Sequence, residues 1–524
     1  MPTAVPKTAA DLAAALAAPH PLPLNAEQVR GLLHPTAEAG MAAGMPFAGI
    51  AFDSRKAMPG DLFVALRGET VDGHDYLQDA WERGARGVVV ETPDPRIPLP
   101  YFQIPDSRRA LSVLADAAFG YPSAHLTCVG LTGTKGKTST SYFTQHLLQT
   151  AGHPCGVIGT LGIHAHGVTM PLPLTTPESL DLQRMLACLR ALGCTHATME
   201  VSAHGIHFQR TRDIRFARAI FTNLGQDHLD FFGTMEAYAA AKRRLFEEQL
   251  LEVPGAIALI NADDPLGKTL IKSLGADRAI GYGTGHDAQV HGQLLAQRPD
   301  GLLCRVRFRG GEEAELLAPV HGAFSLHNLL AAASCAESFG IPVPRIAEGL
   351  VTLPPVPGRH EVVSTAADDI RVIVDYAHTP QSVAAILASA DREHHRPIIA
   401  LVGCGGDRDR TKRPQMGRLA YEATDLLVIT SDNPRSEDPQ AIIEEVCAGV
   451  PADDLGRRVK VQVDRGRAIA ETIASAPAGA AIYILGKGHE PYQILQDRTI
   501  EFDDRIHARQ ALEARRRARI GAAL

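Results

Sequence analysis

The sequence lacks the features by which several classes of protein are recognised. Its eight cysteines are scattered and none stands in a Cys-x-x-Cys pair, so neither a disulfide framework nor a zinc site is indicated. No apolar run approaches the roughly 18–20 residues that a membrane helix needs, and the short apolar stretch after Asp11 does not make a secretory signal. We therefore expect a cytoplasmic protein with no membrane insertion.

An excess of positive charge is also absent. The chain has 52 Lys and Arg against 59 Asp and Glu, which gives a formal net charge of −7. That balance is not the electrostatic footprint of a protein that binds nucleic acid or an anionic membrane surface. The one strongly basic run, residues 515–517, is interpreted as the solvated end of a helix.

With 524 residues, the chain is long enough for about three to four domains. The first forty or so residues are rich in Ala and Pro, which predicts a loosely ordered leader with one short helix. The run Pro354-Pro-Val-Pro-Gly358 predicts a linker. We place three domains at residues 1–106, 107–356 and 357–524.

Short β-branched runs alternate with helical stretches along most of the chain, which predicts an α/β fold. After the linker, this alternation predicts a doubly wound, Rossmann-like parallel sheet with strands at 371–375, 397–402, 426–430 and 481–485.

A polar segment follows each of those four strands, and two of the four are rich in Gly. Because the carboxyl ends of parallel strands meet at one edge, we expect these segments to share one binding site, although any one of them alone could be an ordinary surface loop. They are Asp375-Tyr-Ala-His-Thr-Pro380, Cys404-Gly-Gly-Asp-Arg-Asp409, Ser431-Asp-Asn-Pro-Arg435 and Gly486-Lys-Gly-His-Glu490.

The motif Gly133-Thr-Lys-Gly136-Lys137-Thr138 follows a predicted strand and opens a predicted helix, which is the setting of a phosphate-binding loop. Its glycines let backbone N–H groups approach phosphate oxygens, and the helix N-terminus favours an anion. Lys137 would reach the β- and γ-phosphates, and the Thr138 hydroxyl would contact Mg²⁺. Leucine stands at position 131, where the strict pattern has glycine, so the loop is a variant.

Four further residues are candidates of different strength. Glu200 ends an apolar strand, where a second magnesium ligand belongs, but a helix cap is an even alternative. His228 follows another strand; a lone histidine is more often structural. Lys242 lies on a predicted helix that starts near Thr234, where a solvated lysine is the ordinary interpretation. Arg435 could hold a carboxylate bidentately or pair at the surface with Glu437 or Asp438.

Taken together, these motifs resemble the Mur ligase family of ATP-dependent, amide-bond-forming enzymes of cell-wall synthesis. The resemblance covers the chain from about residue 48 onward. Besides the motifs above, it includes Asp53-Ser-Arg55, Gly60-Asp-Leu-Phe-Val-Ala65, Thr175-Thr-Pro177 and Glu200-Val-Ser202.

The resemblance implies three domains, for a UDP-linked substrate, ATP and an amino acid, and a chain that acts as a monomer. Asp432-Asn-Pro-Arg435 is similar to the form that family members use for meso-diaminopimelate, and lysine-adding relatives lack its arginine. The implied reaction joins meso-diaminopimelate to UDP-N-acetylmuramoyl-L-alanyl-D-glutamate through an acyl phosphate, with ATP and Mg²⁺. A guanidinium suits the second carboxylate by which diaminopimelate differs from lysine.

The resemblance also implies roles for individual residues. ATP contacts fall on Gly133, Thr134, Lys135, Gly136, Lys137, Thr138, Ser139, Asn328, Arg359 and Asp375. Magnesium ligands or their partners fall on Thr138, Glu200, His228 and Lys242, the last as a carbamate; Lys137, Glu200, His228 and Lys242 are the catalytic set. Contacts to the UDP-substrate fall on Ser54, Glu69, Thr70, Val71, Thr175, Thr176, Ser202 and Arg210. Diaminopimelate contacts fall on Arg408, Asp432, Asn433, Pro434, Arg435, Gly486 and Glu490.

The sequence departs from the family pattern at several places, among them Ala203, Phe208 and Phe232. Three alternatives stay open: a lysine-adding ligase, which Arg435 argues against; a folylpolyglutamate synthetase, which the Asp53–Ala65 region argues against; and a P-loop switch that binds nucleotide without ligation.

Overall fold

The computed structural model describes residues 5–18, 21–69, 71–392 and 396–523. The chain divides into two compact units. The N-terminal unit comprises Met1–Gly292, Val306–Ala314 and His327–Gly349, and the C-terminal unit comprises Gln293–Arg305, Glu315–Leu326 and Leu350–Leu524. The boundary predicted at residues 106 and 107 lies inside the N-terminal unit and stays a prediction.

The first forty residues hold more structure than expected. Two helices form there, α1 (Ala9–Ala17) and α2 (Ala26–Leu33), so the prediction of a single helix was wrong. Each helix begins with a capping box, in which the cap side chain and the residue three positions later bond to each other's backbone N–H. The pairs are Thr8 with Asp11 and Asn25 with Gln28.

The next part of the chain builds a five-stranded sheet with the order β2-β7-β6-β5-β4. Strands β4 to β7 are parallel, and β2 is antiparallel to β7. Helix α4 covers one face, where Leu111, Leu114 and Ala115 join a core with Val64 and Phe102. The elements are β1 (Leu24–Asn25), β2 (Ala37–Ala39), β3 (Pro46–Phe47), β4 (Ile50–Ala51), β5 (Leu62–Val64), α3 (Leu77–Glu82), β6 (Gly87–Val90), β7 (Tyr101–Gln103) and α4 (Ser107–Ala118).

A second, larger sheet carries the phosphate loop at its centre. Its order in the N-terminal unit is β11-β10-β9-β12-β8-β13-β14-β15, and the six strands from β9 to β15 in that order are parallel. The strands are β8 (Thr127–Thr132), β9 (Cys155–Gly159), β10 (Gly162–Ala165), β11 (Val168–Met170), β12 (His196–Glu200), β13 (Phe216–Phe221), β14 (Ile257–Asn261) and β15 (Ala279–Gly283).

Helices join these parallel strands, as a sheet covered on its faces requires. They are α5 (Lys137–Thr150), α6 (Ser179–Ala191), α7 (Ala203–His207), α8 (Leu229–Phe232), α9 (Met235–Arg244) and α10 (Pro265–Leu274). Strands β16 (Val290–Arg298), β17 (Gly301–Arg307) and β18 (Glu313–Ala318) and helices α11 (Ser325–Ser338) and α12 (Val343–Val351) follow.

The C-terminal unit contains the predicted doubly wound sheet. Its order is β19-β20-β24-β21-β22-β23, with every pair parallel except β19 with β20. The strands are β19 (Glu361–Val362), β20 (Arg371–Asp375), β21 (Ile398–Val402), β22 (Leu426–Thr430), β23 (Val459–Gln462) and β24 (Ala481–Leu485), and a hairpin of β25 (Tyr492–Ile494) and β26 (Thr499–Glu501) follows.

Helices cover both faces of this sheet, each over its own apolar core. The core on one face contains Leu387 of α13 (Pro380–Arg392), Met416 of α14 (Lys412–Ala423) and Ile443 of α15 (Pro439–Cys447). The core on the other face contains Ile469 of α16 (Arg465–Ser475) and Leu512 of α17 (Asp504–Ala523). The mixed α/β fold and the Rossmann-like second unit expected from the sequence are confirmed.

The basic run near the C-terminus is more than a solvated helix end. Arg515 is 10% exposed and donates through Nε and Nη2 to Asp369, at 2.9 and 2.8 Å. Arg516 pairs with Asp368, and only Arg517 is largely exposed. The interpretation of the run as solvated was therefore wrong for Arg515, whose ion pair holds the last helix to the turn before β20. Among the described residues, no helix combines the length and the apolar content needed to cross a bilayer.

Candidate functional site

The phosphate loop connects β8 to α5, as predicted, and two of its glycines adopt left-handed backbone conformations. Gly133 has a φ of +145° and Gly136 a φ of +87°. A Cβ atom at Gly133 would overlap Thr222 Oγ1, and one at Gly136 would overlap Asn328 Oδ1, so no larger residue fits either position. Thr134 N and Lys135 N donate to the backbone and side-chain oxygens of Asn223, which fixes the loop against the end of the neighbouring strand β13.

Two lysine side chains converge on this loop. Lys137 Nζ and Lys242 Nζ each donate to Gly133 O at 2.9 Å. Lys242 is 1% exposed and lies with Nζ 4.4 Å from the centroid of the Tyr238 ring. Burial, assisted by the charge of Lys137, lowers the pKa of Lys242 well below its usual range, whereas Asp227 opposes the shift. The interpretation of Lys242 as a solvated lysine was wrong, because α9 packs the side chain against the loop.

Glu200 lies at the end of β12, next to the loop in the sheet, where it pairs with Leu131 of β8. Its carboxylate is 1% exposed and accepts hydrogen bonds from Thr160 N at 2.9 Å and Thr160 Oγ1 at 3.0 Å. It does not cap the following helix, because Ser202 does so. Thr138, in the first turn of α5, is also buried.

His228 lies at the start of α8, with a left-handed φ of +54°, and its ring centroid is 6.1 Å from that of Tyr238. Its ring lies 4.8 Å from that of His204. Burial lowers the pKa of His228, the charges of Lys137 and Lys242 add to that effect, and Asp227 opposes it. Burial also lowers the pKa of His204 to about 4, with a smaller contribution from His228. Both shifts favour the neutral imidazole, which is the form that binds a metal ion.

The residues expected to bind magnesium supply only a few side chains that can act as metal ligands. Among the residues that the structure describes, no three His, Cys, Asp or Glu side chains form a group able to hold a metal ion by themselves. A buried carboxylate lies at the end of β12, and a buried hydroxyl lies in the first turn of α5, directly after a loop of the shape that binds phosphate. This arrangement fits Mg²⁺, which commonly keeps water and phosphate oxygens in its shell and uses one or two protein carboxylates.

Threonine and serine side chains gather beyond Glu200. Thr176 Oγ1 donates to Glu200 O at 2.9 Å and accepts from Ser202 N at 3.0 Å, and Thr175 Oγ1 lies 3.2 Å from Thr160 Oγ1. Arg210 Nη1 donates to Thr176 O at 3.1 Å. Four of the expected substrate contacts thus lie together in the N-terminal unit.

The remaining expected substrate contacts belong to the smaller sheet. Ser54 is buried in a helical turn after β4, whereas Glu69 and Val71 are exposed in a turn after β5 that Gly68 N closes on Val71 O at 2.8 Å. Thr70, the remaining member of this expected set, lies outside the described residues.

The four strand-end segments of the C-terminal unit occupy one edge, as predicted, because β20, β24, β21 and β22 are successive neighbours in the sheet. Gly486 N donates to Asp375 O at 3.2 Å, and a Cβ atom at Gly486 would overlap Asp432 Oδ2. Asp432 and Asn433 are buried, and Arg408 is exposed with Nη1 on Asp407 O at 3.0 Å.

Arg435 donates through Nη1 to Gly406 O at 2.8 Å and has a left-handed φ of +53°. Its expected alternative partner Glu437 is instead bound by Arg413, whose Nη1 and Nη2 donate to it at 2.9 and 2.8 Å. Arg435 is therefore tied to the binding edge by a backbone carbonyl. Pro434 lies between Asn433 and Arg435, and its ring restricts the backbone φ angle in the same turn.

Two buried cations that sequence reasoning did not single out support this edge. Lys487 is fully buried and donates to Asn433 Oδ1 at 3.0 Å and to Glu490 Oε2 at 3.2 Å, and Asn433 Nδ2 also donates to Glu490 at 2.8 Å. Lys487 lies inside a motif that was already quoted, so a buried role could have been considered.

Arg465 carried no sequence signal. Its guanidinium is enclosed and binds Asp504 through two bonds of 2.7 Å, and it also donates to Ser431 O and Leu485 O at the ends of β22 and β24.

The residues expected to contact ATP divide between the units. Asn328 Oδ1 accepts from Thr140 Oγ1 at 3.2 Å beside the phosphate loop, and Ser139 belongs to the first turn of α5. In the C-terminal unit, Arg359 lies over the Tyr376 ring, 4.5 Å from its centroid, and Asp375 Oδ2 accepts from His360 N at 2.7 Å.

Comparison with known proteins links these features to one family. Three family models match successive parts of the chain: the Mur ligase family catalytic domain at residues 46–118, the Mur ligase middle domain at 131–336 and the Mur ligase glutamate ligase domain at 358–488.

Two similar proteins and one solved structure share one name. The UDP-N-acetylmuramoyl-L-alanyl-D-glutamate–2,6-diaminopimelate ligase of Gloeobacter violaceus is 43% identical over 471 residues, 90% of this chain and 94% of the relative. The protein of the same name from Geobacillus thermodenitrificans is 43% identical over 88% of this chain and 94% of its own. A solved structure with this name has a TM-score of 0.66 and 31% identity, and the match covers 93% of this chain and 98% of that one.

Proposed function

Because the chain belongs to the Mur ligase family, we propose that it joins meso-2,6-diaminopimelate to UDP-N-acetylmuramoyl-L-alanyl-D-glutamate with hydrolysis of ATP to ADP and phosphate. The product is a precursor of peptidoglycan, so the enzyme serves cell-wall synthesis and thereby cell shape and division. One observation supports diaminopimelate as the amino-acid substrate. Arg435 and Glu490 lie on neighbouring segments at one edge of the C-terminal sheet.

ATP binds with its phosphates on the loop from Gly133 to Thr138. Backbone N–H groups at the start of α5 and the side chain of Lys137 hold the β- and γ-phosphates, and Ser139 and Asn328 complete this side of the site. Arg359 and Asp375, of the C-terminal unit, are the other residues that we assign to the nucleotide.

Thr138, Glu200 and His228 hold Mg²⁺ directly or through water, and Lys242 contributes after carbamylation. The ion supplies charge neutralisation for the phosphoryl group that moves. Lys242 is suited to carbamylation because burial lowers its pKa and so favours the neutral, nucleophilic amine. That amine attacks the carbon of CO₂, an N–C bond forms as one C–O π bond opens, the nitrogen loses one proton, and the neutral amine becomes an anionic carbamate.

Arg435 binds the distal carboxylate of diaminopimelate, and Glu490 binds an ammonium group. The guanidinium offers two parallel donors to a carboxylate, a geometry that lysine, lacking this carboxylate, cannot use. Asp432, Asn433, Pro434, Gly486 and Arg408 shape the rest of this pocket. Lysine would leave Arg435 desolvated and unpaired by substrate, which disfavours it.

The UDP-substrate binds across Ser54, Glu69, Thr70, Val71, Thr175, Thr176, Ser202 and Arg210. The D-glutamate γ-carboxylate attacks the γ-phosphorus of ATP and gives an acyl phosphate with release of ADP. The amine of diaminopimelate then attacks the acyl carbon, phosphate leaves, and the amine loses a proton. Positioning and electrostatic stabilisation supply most of the acceleration.

We further propose a cytoplasmic monomer with domains at residues 1–106, 107–356 and 357–524 and no nucleic-acid partner. The net charge of −7 and the family's small-molecule substrates support the absence of a nucleic-acid partner.

The test measures phosphate release from ATP-Mg and UDP-N-acetylmuramoyl-L-alanyl-D-glutamate, with meso-diaminopimelate or L-lysine as the amine. Release with diaminopimelate and little with lysine is the expected result. Arg435→Lys should raise the KM for diaminopimelate by about 10- to 100-fold with the KM for ATP unchanged. Arg418→Lys, at an exposed position of α14, is the matched control.

Release with lysine alone would keep the ligase and discard the choice of amino acid. Release with neither amine, in protein that binds ATP, would favour a folate ligase or a nucleotide-dependent switch.

A further inference from the structure

The aromatic ring of Phe208 is shared by two arginine side chains. The guanidinium carbon of Arg108 lies 4.4 Å from the ring centroid, and that of Arg210 lies 5.3 Å from it. Cations are attracted to the face of an aromatic ring, and arginine uses this contact more often than lysine. The half-buried ring therefore restrains both guanidiniums at once.

The same two guanidiniums meet a single carboxylate. Arg210 Nε donates to Glu178 Oε1 at 2.8 Å, and Arg108 Nη1 lies 3.5 Å from the same carboxylate. The three side chains are only 13%, 16% and 15% exposed for Arg210, Arg108 and Glu178. The trio carries a net charge of +1 in a place with little water to screen it, which favours an anion.

This trio touches two of the segments proposed to bind the UDP-substrate. Arg108 donates through Nε and Nη2 to Arg67 O, at 3.1 and 2.9 Å, at the start of the turn that holds Glu69 and Val71. Arg210 donates to Thr176 O at 3.1 Å. The ring of Phe208 thus contacts both Arg108, which bonds to the first of these segments, and Arg210, which bonds to the second.

The position of the ring is fixed by the turn that carries it. Gln209 has a left-handed φ of +56°, and its Nε2 donates to Asp106 Oδ2 at 2.6 Å. Asp106 also caps α4, which carries Arg108, by accepting from Arg109 N at 3.0 Å. The turn is therefore anchored independently of the two cation–ring contacts.

We propose that Phe208 is a positioning residue for the UDP-substrate and that Arg108 is a further residue that binds it. The ring holds Arg108 and Arg210 so that both face an anionic group of the substrate, either a carboxylate of its peptide or its diphosphate. This inference rests on the proposed function and adds two residues that none of the expected contacts include.

The experiment compares Phe208→Leu, Phe208→Tyr and Phe339→Leu with the wild-type chain. Leucine keeps an apolar side chain but removes the ring, and tyrosine restores the ring. Phe339 is the matched control, since Arg218 lies 4.4 Å from its centroid in a half-buried contact far from these segments. Phosphate release gives the KM of each substrate, and equilibrium binding of the UDP-substrate without ATP gives its Kd.

Phe208→Leu should raise the KM and the Kd for the UDP-substrate by about 3- to 30-fold, the range of one or two cation–ring contacts. The kcat and the KM values for ATP and diaminopimelate should stay unchanged, which also shows that the variant folds. Phe208→Tyr should restore the KM to within about twofold, and Phe339→Leu should not change it. Repeating the binding with UDP alone identifies the anionic group: an equal loss points to the diphosphate, and no loss points to the peptide.

Wild-type KM and Kd in Phe208→Leu would overturn the inference while leaving the proposed function in place. A failure of tyrosine to rescue, or an equal effect of Phe339→Leu, would overturn it as well. A wild-type chain that neither binds nor turns over the UDP-substrate would overturn both the proposed function and this inference.

Discussion

Lys137 and Lys242 bond to the same carbonyl oxygen. Each Nζ lies 2.9 Å from Gly133 O, although one lysine belongs to the phosphate loop and the other to a helix more than a hundred residues later. Two ammonium groups on one acceptor repel each other, and burial adds to that cost. The arrangement favours loss of the Lys242 charge, either as a neutral amine or as a carbamate.

Replacement of Lys242 tests whether this lost charge matters. Lys242→Arg keeps a permanent cation and cannot form a carbamate, so we expect phosphate release to fall by about 100-fold or more. Wild-type activity should fall when CO₂ is removed from the buffer and return with added bicarbonate, and the variant should not respond. Lys272→Ala, at an exposed position in the last turn of α10, should keep wild-type activity. Full activity of Lys242→Arg would contradict the carbamate.

A comparison of Gly136 with Gly152 distinguishes the effect of a positive φ from the effect of close packing around the Cα atom. Both have positive φ values, +87° and +89°, but a Cβ atom at Gly136 would overlap Asn328, whereas nothing lies within 4 Å of one at Gly152. Gly136→Ala should weaken ATP binding by about 10-fold or more, since the loop must shift. Gly152→Ala should cost about 1 kcal/mol of stability and leave ATP binding unchanged. Calorimetric titration with ATP checks both, and equal affinities would contradict the packing argument.

Sequence patterns were sufficient for the strands and for the edge at which their ends meet. The strands at 371–375, 426–430 and 481–485 were predicted at the bounds that the structure gives them. Buried parallel strands are recognisable because both faces are apolar, and Gly-rich segments mark where they end. The phosphate loop was recognisable because its glycines have a backbone role that other residues cannot fill.

The supporting residues were not recognisable, because their meaning depends on partners far along the chain. Lys242 and Arg465 are polar residues at helical positions, where solvent exposure is the ordinary expectation. Each side chain is buried because its helix packs against the end of a strand. The side chain then donates a hydrogen bond to a backbone carbonyl there. Phe208 was noted only as a departure from the family pattern, because its contact with Arg108, a hundred residues earlier in the chain, is not visible in the sequence. Local periodicity contains no information on such pairings.

Arg465 and Asp504 form an ion pair with no exposed surface on either side chain. Asp504→Ala would leave a buried guanidinium without its charge partner, at a cost of about 3–5 kcal/mol. Glu471→Ala removes an exposed pair with Arg467 from the same helix and should leave the free energy of unfolding near the wild-type value. Urea unfolding of the full chain, followed through the transition of the C-terminal unit, measures both.

The loss in Asp504→Ala should extend to function. Arg465 also binds Ser431 O and Leu485 O, so the segments that begin at these residues should lose their alignment. We expect a higher KM for diaminopimelate in Asp504→Ala and an unchanged one in Glu471→Ala. A small and equal destabilisation in both variants would show that the buried pair does not support this edge.

Asp116 should make the N-terminal unit less stable as the pH rises. Its carboxyl group is 8% exposed, and Oδ1 is buried without a hydrogen-bond partner. Burial raises the pKa of Asp116 to about 7, the charge of Asp213 adds to the shift, and Arg215 and Arg109 oppose it. Because the folded chain holds this proton more tightly than the unfolded one, stability is lost as the pH rises from about 4 to about 7.

Asp116→Asn removes this titration and keeps the shape of the side chain. The variant should therefore exceed the wild type in Tm by an amount that grows between pH 5 and pH 7 and then levels off. Asp287→Asn, at an exposed position, should show no such trend. Thermal unfolding is measured as a difference between variant and wild type at each pH, because other groups titrate equally in both chains and cancel. A constant difference across this range would mean that Asp116 stays ionised in the folded chain, with its charge balanced by Arg109 and Arg215.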